Sequence, residues 1–512
     1  MTQGTRVTAT TQPKAGNPWI GLVAVVLGVL IVALDTTIVA ASNPRLSEEL
    51  NASLGDLQWI TNSYLLVMAP AMILAGRLGD RFGRRRAFLW GVVGFGLASM
   101  AIGLAGSVEM VIAARSVQGL FGGLIMTNAL ALLHASFSKE RLPAAVSAFG
   151  ALAASSIAFG PVIGGVVVDQ LGWRWAFFIN VPVAAASVLL GLRVLPTPPR
   201  AEPTPFDLVG AALLTASLMT LAYGIVRAPS AGWDDWLVIG ALIAAGALGA
   251  LFVFMELKAP NPVVPMRLFA NRSITAGIAL TVATDFAMIG LPIFVTLYLQ
   301  EVEGYSPIAA SLRLAPLGIA AVAGSSLSGL LLPRLGQRPV VIAGALVSAV
   351  GFLLLTGIEM DSSYIRLAVP FAILGLGLSL VMNSAIQAVL GNASESDAGV
   401  ASGVQQASNQ IGGLLGTSIL GAVLATVAIS QYEQNLVEAG VPDAGTLATA
   451  GENAVSHGIA PVPSGAAPDL AETLTYAANE AFLSGIHTLM WIGVGLSILS
   501  AVIALRIRAG TS

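Results

Sequence analysis

The sequence predicts an all-α polytopic membrane protein: two six-helix bundles with two further helices inserted between them. Three observations carry this. Of 512 residues, 56% are hydrophobic and only 10% charged, with a mean hydropathy of +0.83, a composition too apolar for a soluble chain. Apolar runs long enough to cross a hydrocarbon layer of ~30 Å recur fourteen times. Segments of the first half also recur in the second, the mark of an internally repeated membrane fold.

The runs, numbered here as spans 1–14, are read at 18–42, 57–77, 86–106, 108–134, 143–169, 174–195, 206–226, 235–256, 273–299, 307–332, 338–358, 364–390, 399–428 and 481–506. An even number places both termini on one side. Of 24 Lys and Arg residues, 18 fall in the tails and loops of that side and five (Arg45, Arg174, Arg227, Arg313 and Arg366) on the other, which predicts cytoplasmic termini. The polar tail 1–17 lacks a signal-peptide pattern, so span 1 is expected to remain as an anchor.

The repeat sets the domain division. GRLGDRFGRR at 76–85 aligns with GLLLPRLGQR at 329–338, and QGLFGGLIMTNALAL at 118–132 with LGLGLSLVMNSAIQA at 374–388. Gly160 and Gly165 meet Gly416 and Gly421 at the same spacing. Spans 2–5 thus repeat as spans 10–13. The expected layout is a tail (1–17), a first bundle (18–200, spans 1–6), an insertion with an inner linker (201–272, spans 7 and 8) and a second bundle (273–512, spans 9–14). Residues 429–480 read as a long polar outer loop, and 257–272 as a Pro-rich linker with room for a short surface helix.

Composition excludes several functions. With no cysteine, neither disulfides nor thiolate metal sites exist, and His134, His457 and His487 are too scattered for a metal cluster. No Walker A sequence is present, so ATP is not the expected energy source. No cofactor, metal or nucleic-acid partner is expected. An integral-membrane enzyme is disfavoured because no span shows a nucleophile–base pair or metal-ligand spacing.

The ionisable residues inside spans carry the chemistry, because a charge at the bilayer centre costs ~2.5–3.5 kcal/mol on insertion scales. Asp35 sits in ALDTTIV of span 1, beside Thr36 and Thr37. Asp285 sits in span 9, the repeat partner of span 1, so two acids enter from symmetry-related helices. Arg115 in span 4 needs a partner or a water-filled cavity, and Gln118, three residues on, shares its face. These three charged residues are the candidates for proton or cation coupling. In span 5, Gly160-Pro161-Val162-Ile163-Gly164-Gly165 combines a bend with close packing; the candidate hinge residues are Gly160, Pro161, Gly164 and Gly165. A central cavity is expected to be lined by Trp59, Asn62, Tyr64, Gln118, Met126, Asn128, Met382, Asn383, Gln387, Gln405, Gln406 and Asn409, whose flexible, aromatic and amide side chains suit varied apolar or cationic ligands. Between spans 2 and 3, GRLGDRFGRRR holds five arginines that cannot lie in lipid. Asp80 among Arg81, Arg84 and Arg85 offers charge-assisted bonds, and Gly76 and Gly83 permit close helix approach.

ALDTTIV, GRLGDRFGRRR, RSVQGLFGG, GPVIGGVV and WRWAFFINVP occur in the order found in fourteen-helix drug:proton antiporters of the major facilitator superfamily, which the chain resembles over nearly its whole length. The resemblance implies a proton-coupled exporter of amphipathic or cationic drugs or antibiotics, working by alternating access in the bacterial cytoplasmic membrane. It implies proton or cation handling for Asp35, proton coupling for Arg115, an antiporter role for the Gly-Pro helix, and a conformational latch for Asp80 and the arginines of its loop. Two departures stand out: Ala40-Ala41-Ser42-Asn43-Pro44 replaces the usual N-V-A-L-P, and Pro333 replaces the second-half counterpart of Asp80. The expected partners are an amphipathic small molecule, protons and lipid, with the chain a monomer. Export of a lipid or endogenous metabolite, or a non-transporting receptor or scaffold, are the alternative readings.

Overall fold

The structure is a computed structural model. It describes residues 18–507 except 53, 138–140, 142–144, 146–147, 150–163, 165, 197–206, 361, 395–396, 457 and 464–465. Among the described residues there is no strand, and thirteen helices are long and apolar enough to cross a membrane. They correspond to spans 1–4 and 6–14. Span 5 falls mostly on positions outside the described residues.

In the first half, span 1 is helix Pro18–Leu50, span 2 Leu54–Phe82, span 3 Arg84–Gly103 and span 4 Val108–Ser136; span 6 is broken into Trp173–Phe178 and Asn180–Val194. The inserted spans 7 and 8 are Leu208–Ala231 and Trp236–Glu256. In the second half, span 9 is Arg272–Leu297, span 10 Pro307–Leu335, span 11 Gln337–Leu355, span 12 Tyr364–Leu390, span 13 Ala398–Glu438 and span 14 Pro468–Ala504. The halves pair their helices alike: spans 2 and 3 pack on span 4, and spans 10 and 11 pack on span 12. The turns joining spans 2 to 3 and 10 to 11 each need a left-handed residue, supplied by Gly83 (φ 94°) and Gly336 (φ 79°). Those glycines are 253 residues apart, the same spacing as the aligned loop segments.

The halves meet on the face that carries the arginine loop. A Cβ on Gly76 of span 2 would lie 2.3 Å from the carbonyl oxygen of Gly399 at the start of span 13, so only glycine allows this approach. Just beyond, Ser402 donates to the carbonyl of Thr127 of span 4 at 3.2 Å.

Two elements differ from the sequence reading. Residues 429–480 are not a loop. Span 13 runs on to Glu438, span 14 begins at Pro468, and helix Ala444–Val455 lies between them. Ala428, Tyr432 and Leu436 recur every four residues and pack with Ala448, Val455, Leu474 and Ala477 in a core of their own. The segment is polar in composition yet amphipathic in period, and the period decides its structure. Second, span 7 does more than sit beside the bundles: it packs on both span 2 and span 13. Leu66, Ala222, Ile225 and Leu414 bury together there, and Trp59 meets Tyr223 with ring centroids 5.9 Å apart. Span 8, in turn, turns Ile239, Ile243, Leu251 and Phe254 outward, the surface of a lipid-facing helix.

Candidate functional site: a buried ion pair, a lone acid and an arginine latch

Asp35 of span 1 and Arg115 of span 4 are each only 1% exposed and form a salt bridge inside the first half. Side chains of four further residues surround it. Arg115 Nη1 also donates to Gln118 Oε1 at 2.7 Å, and its Nε to the carbonyl of Ile60 at 3.2 Å. Gln118 Nε2 donates to Asp35 Oδ1 at 2.9 Å and to Ser99 Oγ at 2.7 Å. Asn180 of span 6 reaches Asp35 Oδ1 at 3.3 Å and Ser99 at 3.2 Å. The guanidinium lies 4.3 Å from the centroid of the Tyr64 ring, a cation–π contact. Five spans therefore contribute to one network, which holds a buried charge pair by satisfying its hydrogen bonds as well as its Coulomb attraction. Thr36 and Thr37, expected beside Asp35, have side chains outside the described residues.

The second half holds a different arrangement. Asp285 of span 9 is buried, and among the described residues it makes no ion pair. Its polar neighbour is Asn409 of span 13. With the amide turned to suit its surroundings, Asn409 Nδ2 lies 3.2 Å from Asp285 Oδ2. Gln405, also on span 13, pairs with Thr281 of span 9 at 3.0 Å. Arg115 has no counterpart here, because the aligned position 371 is Phe371, buried in the second-half core.

At the arginine loop, Arg84 Nη2 binds Asp80 Oδ1 at 3.2 Å. The other oxygen, Oδ2, is buried without a hydrogen-bond partner among the described residues and lies against Gly399, where an added Cβ would be 2.4 Å away. Gly399 is the second residue of span 13, so the carboxylate sits at a helix N-terminus, where the backbone dipole favours negative charge. The remaining arginines disperse: Arg81 lies over the Phe82 ring and Arg85 donates to the carbonyl of Leu192 in span 6. Asp80 is thus held by Arg84 and by span 13, not by three arginines at once.

The expected cavity residues divide. Tyr64 and Gln118 belong to the Asp35–Arg115 network. Asn128 is fully buried, donating to the carbonyls of Ala75 and Leu124 at 3.3 and 2.9 Å, with its side chain against Gly79; it packs span 4 on span 2. Met126 packs against a core that joins first-half residues to Val389, Val400 and Val404 of the second half. Trp59 is exposed against span 7. Met382, Asn383, Gln387 and Asn409 are half-buried, while Gln405 and Gln406 are buried. The side chain of Asn62 lies outside the described residues, as do Gly160, Pro161 and Gly165 of the expected hinge; Gly164 is helical and buried.

Sequence reasoning passed over Ser99, Asn180 and Arg77. Each is a polar residue within or at the edge of an apolar span, the same signal that singled out Asp35. Beyond the apolar stretch of the first helix, Pro18–Asp35, Glu49 accepts from Trp173 Nε1 at 3.0 Å and pairs with Arg174. The Arg174 hydrogen bond, followed by that of Trp173, holds the Glu49 carboxyl below its ordinary range.

Comparison with known proteins agrees with this architecture. Residues 25–417 match the family model of the Major Facilitator Superfamily. The chain is 40% identical over 497 residues to the tetracenomycin C resistance and export protein of Streptomyces glaucescens, covering 96% of this chain and 92% of that protein. It is 34% identical to a puromycin resistance protein of Streptomyces alboniger (84% of this chain, 85% of the relative) and 32% identical to the multidrug transporter protein MdtP of Bacillus subtilis (79% and 74%). Among solved structures, the human organic anion transporter MFSD10 superposes with a TM-score of 0.61 at 15% identity, covering 96% of this chain and all of that one. The proton:xylose symporter XylE superposes with a TM-score of 0.60 at 16% identity (95% and 94%). Both share its fold.

Proposed function

The chain belongs to the Major Facilitator Superfamily and is a multi-pass protein of the cell membrane, and we propose that it exports amphipathic or cationic drugs and antibiotics in exchange for protons. The observation that carries the proposal is the Asp35–Arg115 pair: a titratable carboxylate and its counter-ion, both buried within membrane spans. The relatives named for tetracenomycin C, puromycin and multidrug resistance support the substrate class.

The mechanism follows from the cost of buried charge. With Asp35 ionised, Arg115 is neutralised and spans 1 and 4 are held together. A proton on Asp35 removes the anion and leaves the guanidinium to Gln118, Ile60 and the Tyr64 face. An unpaired buried charge is several kcal/mol less stable, so protonation favours a rearrangement that rehydrates Arg115. Proton binding and conformation are then linked equilibria, and each shifts the other. Among the described residues Asp285 has no counter-ion. Its carboxylate is neutral while it holds a proton and gives that proton up when a substrate's cationic group takes its place. The closed face is cytoplasmic in this reading, with Asp80, Arg84 and the start of span 13 as the latch of the outward-facing state. The Gly160–Gly165 segment of span 5 is its hinge, and the half-buried amides of spans 12 and 13 border the substrate path.

The test is uptake of ethidium, puromycin and tetracenomycin C into everted vesicles, the direction of export, with and without a pH gradient. Gradient-dependent transport in the parent that is absent in Asp35→Asn is the expected result. Equal gradient-driven transport in both removes Asp35 from the mechanism.

A further inference from the structure

The linker between spans 8 and 9 is held by charged side chains at both ends. Arg77, at the latch end of span 2, donates through Nε to the carbonyl of Val263 at 2.8 Å and through Nη2 to the carbonyl of Pro262. Glu256, the last residue of span 8 and only 3% exposed, accepts from the amides of Val263 at 3.0 Å and Val264 at 3.4 Å. Val263 and Val264 are each 2% exposed. Buried backbone groups need partners. Here both the carbonyls and the amides of one short stretch are satisfied by ionic side chains, which make the stronger class of hydrogen bond.

Three residues further on, the linker belongs to the second half. Arg267 donates to both carboxylate oxygens of Asp397, just before span 13, at 3.0 and 3.1 Å, and Ser394 fixes that carboxylate at 2.7 Å. Thr275 of span 9 donates to the carbonyl of Phe269 at 2.8 Å, and Leu268 is buried. Between the two anchored stretches only Pro265 and Met266 remain.

We propose that residues 262–264 are a strap clasped to the first half by Arg77 and to the inserted span 8 by Glu256, so that the short step from Val264 to Arg267 tethers the two halves and limits how far the arginine-loop face opens. Three residues span at most ~10 Å when extended. Without the clasp the free tether would run from Glu256 to Arg267, eleven residues or roughly 36–40 Å. The clasp thus converts a linker long enough to be irrelevant into one short enough to set the amplitude of opening. The inference rests on the alternating-access part of the proposed function and is independent of which group carries the proton.

The absence of native cysteine makes a distance measurement direct. Spin labels at Arg86→Cys and Leu335→Cys, both exposed and on this face in opposite halves, report its opening by pulsed electron resonance. The background carries Asp80→Asn to populate the open state. Arg77→Ala with Glu256→Gln should add a population at distances longer by several ångströms. A four-residue Gly-Ser insertion between Pro265 and Met266 leaves every clasp contact in place and should produce the same lengthening, which covers the case in which the clasp variant folds poorly. Distance distributions that coincide with and without the insertion overturn the proposal.

Discussion

The two halves place an aspartate at related depths and treat it in opposite ways. Asp35 is enclosed by Arg115, Gln118, Ser99 and Asn180, whereas Asp285 faces the amide of Asn409 and no cation among the described residues. The helical frame repeats; the charge pattern does not. Duplication supplied two equivalent positions, and the loss or gain of one arginine between spans 4 and 12 gave them different electrostatics. The paired acid stores a conformational bias, because protonating it strands a buried guanidinium. In the proposed mechanism the lone acid receives the positive charge of a substrate, because no cation faces it among the described residues.

The largest expected effect breaks the paired site. Asp35→Asn should abolish gradient-driven efflux, read as loss of the difference between vesicles with and without a pH gradient. Asp285→Asn should act on selectivity instead. Efflux of a permanent cation such as ethidium should fall at least tenfold, while a neutral substrate keeps most of its rate. Equal losses for both substrates would show that the second acid, too, serves the driving force.

Tyr64 sharpens the comparison within the first half. Its ring covers Arg115, but its hydroxyl is buried without a partner among the described residues. Tyr64→Leu removes a desolvated cation–π contact of ~2 kcal/mol. Tyr64→Phe keeps the ring and removes an unsatisfied polar group, so it should be neutral or stabilising. Thermal unfolding of the two variants in detergent separates these outcomes.

The Glu49–Arg174 pair should matter least. Both side chains are more than a third exposed, and such pairs contribute ~0–1 kcal/mol. Because the Glu49 carboxyl is held below its ordinary range, its contribution is present above the unfolded carboxylate value and is lost as the pH falls through the lowered one. A Glu49→Gln variant should match the parent at acidic pH and fall only slightly below it near neutrality, read from thermal midpoints across that range.

Much of the fold was legible because membrane spans are written in plain composition. Arg115 and Gln118 were legible as a pair from their spacing, and Asp35 from its isolation, yet their meeting across spans 1 and 4 was not, because tertiary pairing leaves no local period. Asn128 shows a related ambiguity: an amide in an apolar helix serves a cavity or a neighbouring backbone equally well, and only the structure shows that it donates to the carbonyl of Ala75. Residues 429–480 were misread because polar composition was weighted above the four-residue recurrence of Ala428, Tyr432 and Leu436. Arg77 was hidden by its neighbours. Five arginines in one loop look alike in sequence, and only packing separates the one that pairs with Asp80 from the one that clasps the linker.

The contrast between the two acids is tested most directly by making the same substitution at both and comparing thermal midpoints in detergent. Asp35→Asn strands Arg115 in a buried site, a loss of ~3–5 kcal/mol for a broken buried pair, and its midpoint should fall well below the parent's. Asp285→Asn removes a buried acid that has no counter-ion among the described residues, and its midpoint should equal or exceed the parent's. Equal falls in both variants would contradict the account, since Asp285 would then have a partner as strong as Arg115.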